Sequence, residues 1–265
     1  MELGSSRAQA RIDTAHGGRL CSLLIDGHEV LVTSDENHDP LRWGCYPMVP
    51  WAGRVRDGLF QWQGVEHRLP VALESHAIHG LGYTSQWRQV ADDRIDLELG
   101  EPWPWSGWVE STFLLDDAAL RWTIAVTNTD RSRWPVMVGW HPWFRRHIDG
   151  AEAALGFVAG SQMERDGAHI PTGLLIEPLE GPWDDCFSDV EQPVRIFWPG
   201  AVELELRSDC THWVVYTEPD HALCVEPQSD GPDAFNRPTS GPESRDRAVS
   251  PNETFSRWFE IRWGR

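Results

Sequence analysis

The chain has 265 residues, with 41 acidic and 23 basic side chains and a formal net charge of -18. Such a charge is repelled by nucleic-acid backbones and anionic membrane surfaces, so neither is expected as a partner, and a small neutral ligand fits. The length can bury a large core, and no break in composition or low-complexity linker divides it, so one domain over residues 1–265 is expected.

Cys21, Cys45, Cys186, Cys210 and Cys224 are odd in number and form no C-x-x-C pair. That predicts reduced thiols in a cytoplasmic protein, with no disulfide frame and no zinc site. Residues 1–13 carry no apolar segment, so no signal peptide is expected. No run approaches the ~20 apolar residues needed to cross a bilayer. The 16 tryptophans must mostly stock a core. Aromatic faces also stack on the C–H faces of sugars, which makes a carbohydrate ligand worth testing.

Taken in order, Leu20 to Val32 reads as a hairpin turning at Asp26-Gly27. Gly44 to Asp57 is broken by Pro47, Pro50 and Gly53 and reads as a loop that delivers Arg54 and Arg56. Phe60 to Leu69 is a second hairpin, turning at Gln63-Gly64. Ser75 to Gly82 is a loop carrying His76 and His79. From Trp87 to Asp130 strands follow one another; Leu120, Trp122, Ile124 and Val126 alternate with Arg121, Thr123, Ala125 and Thr127. Pro135 to Phe144 is a strand. Val194 to Trp198 and Val202 to Leu206 form a pair around Pro199-Gly200. Trp213 to Thr217 is expected to pair with Leu223 to Glu226. Asp230 to Asn252 reads as a surface loop with a mobile tip near Thr239 to Glu243, and Phe255 to Trp263 closes the chain. Closely spaced strands without a clean helical period predict an all-β sandwich or barrel.

Ala222-Leu223-Cys224-Val225-Glu226-Pro227-Gln228 sets one carboxylate into an apolar strand. Period two puts Glu226 beside the small Ala222 and Cys224, which leaves room against the acid. Pro227, lacking an N–H, is expected to end strand pairing. Glu226 is therefore either a paired structural acid or a catalytic base. His141, in Gly139-Trp140-His141-Pro142-Trp143-Phe144, also shares a face with a small residue; it is a core histidine or an acid–base group. His79 precedes Gly80, which lets the backbone bend, whereas His76 lacks a flanking glycine; either is an active-site group or a surface loop histidine. Arg54 offers a forked donor suited to vicinal hydroxyls, or is a solvated arginine. Asp184 and Asp185 are sugar acceptors or a turn. The histidines are far apart in sequence and show no local metal-ligand spacing, which leaves only a distributed site open.

Trp51-Ala-Gly-Arg54-Val, Ala77-Ile-His79-Gly, Gly139-Trp-His141-Pro-Trp-Phe144, Asp184-Asp-Cys-Phe187 and Cys224-Val-Glu226-Pro-Gln228 occur in this order. Together they resemble the aldose 1-epimerase (galactose mutarotase) family, from about Gly18 to the C-terminus. The resemblance implies a large antiparallel β-sandwich of the galactose mutarotase-like type. It implies a cofactor-free enzyme, with no metal, that interconverts α and β anomers of a free monosaccharide. By motif, Glu226 matches the general base and His141 the general acid. His79 matches a second active-site histidine, Arg54 the substrate-binding arginine and Asp184 the acid that binds sugar hydroxyls, with Asp185 adjacent.

The larger mutarotases usually have Asn before the arginine, where this chain has Gly53. They often have two glycines after the loop histidine, where Gly80 is followed here by Leu81. These departures leave the sugar open. An imidazolium paired with an ionised carboxylate is the form expected for ring opening, and a nearby carboxylate should raise the His141 pKa. The alternatives are a hexose-6-phosphate 1-epimerase, in which Arg56 or Arg88 contributes to a phosphate pocket; a non-catalytic sugar-binding protein; and a glycosidase using Glu226 with Asp184. A monomer or homodimer is expected.

Overall fold

The computed structural model describes residues 1–237 and 247–264. Among the described residues the helical pieces are two 3-residue 3-10 turns, Arg56–Gly58 and Gly82–Thr84. Strands build an 11-stranded and an 8-stranded sheet, accompanied by four two-stranded ribbons. Adjacent strands of both large sheets run antiparallel. The expected all-β architecture is the one observed.

The alternating run is the Ala119–Asn128 strand of the 8-stranded sheet, with Leu120, Trp122, Ile124 and Val126 buried and the residues between them half-buried. It pairs with Thr254–Trp263, Trp122 standing opposite Phe259. The inner faces of the two sheets meet through aromatic rings. Trp140 of the 11-stranded sheet lies 6.4 Å from Trp122 and 5.9 Å from Phe259, and Trp213 lies 6.5 Å from Phe259. Buried side chains of such area dominate the energy of a core.

The hairpin at Asp26-Gly27 joins Arg19–Ile25 to His28–Glu29, and that at Gln63-Gly64 joins Leu59–Trp62 to Val65–Arg68. All four turn residues have positive φ, the geometry that matches the twist of paired strands. His212–Tyr216 pairs with Ala222–Gln228 as expected.

Three expectations are corrected. Cys45–Met48 is a strand rather than loop, buried throughout and paired with Gly139–Arg145, with Pro47 opposite Trp140. Pro227 does not end pairing: its strand continues to Gln228, which stands opposite both His212 and Gly139. Asp230 to Asn252 is not simply a surface loop. Asp230 is buried between Arg237 and Arg247, Asp233 and Ala234 are buried, and Ala248–Val249 pairs with Trp134–Pro135. The Thr239 to Glu243 tip lies outside the described residues.

Candidate active site

A cavity of about 350 Å3 opens on the 11-stranded sheet, and Glu226, His141, His79, Arg54, Asp184 and Asp185 all line it. Strand register explains the convergence. Gly139 stands opposite Gln228, and Trp143 opposite Cys224. The same register carried between them places His141 opposite Glu226. Tyr46 stands on the far side of His141, and Val214 on the far side of Glu226. Bridging between the two central strands lapses between those flanking pairs, where Pro142 and Pro227 have no N–H to give. In that gap His141 Nε2 lies 3.2 Å from Glu226 Oε1.

His141 is fixed from both sides. Its ring stacks on Tyr46, centroids 4.7 Å apart, and on Trp143, at 5.3 Å. Its Nδ1 has no partner among the described residues. Glu226 is held at its second oxygen, where Gln228 Nε2 donates to Oε2 at 3.3 Å.

His79 and Arg54 arrive on a small ribbon in which Arg54–Val55 pairs with Ala77–Ile78. The His79 N–H donates to the Gly53 carbonyl at 3.1 Å, and the Gly53 N–H donates to His79 Nδ1 at 3.3 Å. His79 and Gly80 both have positive φ, at 57° and 78°. A Cβ at Gly80 would lie 2.0 Å from the Val49 carbonyl oxygen, so only glycine fits. The edge of the His79 ring meets His141, centroids 5.0 Å apart. Arg54 makes no ion pair among the described residues, and its buried Nε is unpartnered. His76 differs from its expected placement: it is buried, and its Nδ1 accepts the Asp57 N–H at 3.1 Å, bracing the turn beyond Arg54.

The acidic wall comes from the Asp184–Val190 strand. Asp184 stands opposite Tyr216, in the row of Cys224, whereas Asp185 stands opposite Val215. Alternation therefore gives Asp184 the face that carries Glu226. Arg165 spans both carboxylates, Nη1 3.1 Å from Asp184 and Nε 3.0 Å from Asp185. His169 Nδ1 adds a contact to Asp184 at 3.4 Å.

Burial sets the charges. It pushes the His141 imidazole down to about 3. It holds His79 well below the usual histidine range, aided by His141 and Arg54. Glu226 is driven well above the carboxylate range, first by burial and then by the charge of Asp184, against the Gln228 N–H and Arg54. The expected elevation of His141 does not occur, because desolvation outweighs the adjacent carboxyl group. The pair thus favours a neutral acid beside a neutral imidazole.

His79, His141 and Glu226 offer ligand atoms within 4.8 Å of one another, a spacing that a cation can bridge. The Gly53 N–H on His79 Nδ1, however, leaves the hydrogen of neutral His79 on Nε2. His79 then presents a donor to the cavity rather than a metal-ligating lone pair.

Sequence reasoning passed over Tyr46, Trp143, Gln228, Arg165 and His169, which also line the cavity. Trp143 and Gln228 sat inside the motifs, and the alternation that selects His141 and Glu226 also selects them. Tyr46 was hidden by reading its strand as loop. Arg165 and His169 carried no local signal.

The aldose 1-epimerase family model matches residues 4–262, and the chain belongs to that family. YphB of Escherichia coli (strain K12), an uncharacterized protein, is 27% identical over 249 residues, which span 82% of this chain and 83% of YphB. A galactose mutarotase-like protein from Clostridium acetobutylicum superposes with a TM-score of 0.86 at 18% identity, covering 99% of this chain and 94% of its own. Galactose 1-epimerase from Lactobacillus acidophilus NCFM superposes with a TM-score of 0.77 at 16% identity, covering 99% and 93%. At such identities the superpositions establish the fold.

Proposed function

We propose that the protein is an aldose 1-epimerase acting on a free, unphosphorylated aldose in the cytoplasm. The observation that carries this reading is the buried pair at the cavity floor, His141 Nε2 3.2 Å from Glu226 Oε1. The pair holds one proton at every stage of the cycle. In the carboxylate–imidazolium arrangement, Glu226 takes the proton of the anomeric hydroxyl while His141 gives one to the ring oxygen. The ring C–O bond breaks and an open aldehyde forms. Glu226 is then neutral acid and His141 neutral base, the arrangement that burial favours. After rotation about the C1–C2 bond, His141 takes the proton back from the ring-oxygen hydroxyl. Glu226 returns its own to the carbonyl oxygen as the ring closes on the other face. Acid and base each contribute on the order of 10²–10⁴-fold. Arg54, His79 and Asp184 supply donors and acceptors for the other hydroxyls.

A neutral substrate is supported by the lining, which carries five acidic side chains besides Glu226 against three arginines. Neither arginine considered for a phosphate is free: Arg56 pairs with Asp166 at 2.6 Å and Arg88 with Asp96 at 2.7 Å. The imidazole beside Glu226 favours epimerisation over a glycosidase built on two carboxylates alone. It also favours catalysis over simple binding, since a binder needs no acid–base pair.

Polarimetry tests the reading. Freshly dissolved α-D-glucose or α-D-galactose should relax faster to the same final rotation with protein present, and His141→Ala should abolish the acceleration. No acceleration with a panel of free aldoses, together with acceleration of a hexose 6-phosphate, would replace this reading by the phosphosugar one.

A further inference from the structure

Gln228 is wholly buried at the end of the Glu226 strand. Its amide nitrogen donates to Glu226 Oε2, while its own Oε1 has no donor among the described residues. The other oxygen of Glu226, Oε1, faces His141. The amide therefore makes the two carboxylate oxygens inequivalent: one is tethered from the strand end, the other is left to the imidazole and the cavity. Gly139, opposite Gln228 in the ladder, makes the arrangement possible. A Cβ at Gly139 would lie 2.9 Å from the Pro227 carbonyl oxygen and 3.2 Å from Gln228 Cγ.

We propose that Gln228 is a positioning residue for Glu226: its N–H fixes the carboxyl rotamer, turns Oε1 toward His141 and the cavity, and favours the ionised form that can accept a proton. This rests on the reading of Glu226 as the base. A donated N–H stabilises a carboxylate more than a neutral acid. The groups around Glu226 pull in both directions. Asp184 opposes a second negative charge, and Arg54 supports it. His141 and His79 are held neutral by burial. Tyr46, Cys45, Cys186 and Cys224 are buried and kept protonated, so they add no charge. Gln228 is the hydrogen-bond donor that offsets burial within this set.

Gln228→Met keeps the side-chain length without the N–H, and Gln228→Leu removes the N–H with a shorter apolar chain. The readout is the titration of the Glu226 carboxyl carbon by 13C NMR in sugar-free protein, its resonance assigned by loss in Glu226→Gln. The midpoint should rise by on the order of one pH unit in both variants. In wild type, the side-chain amide of Gln228 should shift with the Glu226 midpoint, which needs no variant to fold. In turnover, the alkaline limb of kcat/KM, where the pair loses its single proton, should move to higher pH by the same amount, with kcat changed more than KM. An unmoved midpoint, an amide blind to the titration, or an activity loss uniform across pH overturns the role. If the variants shift the midpoint but wild type epimerises no sugar, the tether stands and the base role of Glu226 falls.

Discussion

The Ala119–Asn128 strand and the Ala222–Gln228 strand are both central in their sheets, yet they use burial differently. The first alternates, with one face in the core and the other half-buried against Arg121, Thr123, Ala125 and Thr127. The second is buried at every position, polar residues included. Its core face packs Leu223 and Val225, while the other carries Cys224 in a second apolar cluster and brings Glu226 and Gln228 to the cavity. A strand that alternates is doing one job, packing. A strand buried on both faces while carrying a carboxylate is doing two, and the second costs stability, because an acid kept from water is held against its preference for ionising.

Substitutions sharpen this contrast. Trp122→Ala on the alternating strand should cost about 3–5 kcal/mol of stability with turnover per folded molecule kept, read from denaturant midpoints beside polarimetric rates. Glu226→Gln should do the opposite, lowering turnover by about 10²-fold or more with the fold intact. Near wild-type rates would remove Glu226 as base. The two loop histidines divide in the same way. His79→Ala should lower turnover by roughly ten-fold or more through a lost contact to the reacting sugar. His76→Ala should instead cost about 0.5–1.5 kcal/mol of stability by removing the acceptor of the Asp57 N–H, with turnover little changed. Equal turnover losses would mean that the loop works as one unit.

The smallest effect is the pH dependence of stability. Glu226, raised in the folded state, binds a proton that the unfolded chain releases above pH 4.5, so its contribution is lost as pH rises from there through the folded value. His141 and His79, lowered in the folded state, contribute stability above pH 6.5 that is lost as pH falls toward their folded values, about 3 for His141. Between pH 4.5 and 6.5 two protons favour the unfolded state and one the folded. Stability from these groups therefore rises with pH, and above 6.5 it falls. Each unbalanced proton is worth about 1.4 kcal/mol per pH unit. The advantage of Glu226→Gln in Tm should be absent below pH 4.5 and grow above it. A constant difference across pH would contradict the burial of an ionisable Glu226.

The alternating strands, both short hairpins and the pairing that carries Glu226 were legible in sequence, because period two and Asp-Gly or Gln-Gly turns are local signals. The Cys45–Met48 strand was not, since Pro47 reads as a breaker when its neighbours in space are unknown. Pro227 misled in the same way. The paired prolines that open the ladder between His141 and Glu226 make sense only when both strands are seen. Motif order assembled Glu226, His141, His79, Arg54 and Asp184 without showing their charges. The protonation of His141 was misjudged because proximity to a carboxyl group is visible in a motif, whereas complete burial is not. Arg165 and His169 belong to a hairpin, Ala159–Arg165 with Pro171–Ile176, whose contact with Asp184 is long-range.

The row Tyr46, His141, Glu226 and Val214 also has a consequence in time. Val214 and Glu226 share a local hairpin, but Tyr46, His141 and Glu226 come from remote parts of the chain, so no local nucleus can pre-form the acid–base pair. Loop closure must precede every contact that rewards it, and topologies of this kind fold in about milliseconds to seconds rather than microseconds. During synthesis Tyr46 and His141 can pair with each other early, but the acid–base pair waits until the strand of Glu226 has been made. Competence is therefore acquired in one late step rather than built up by degrees.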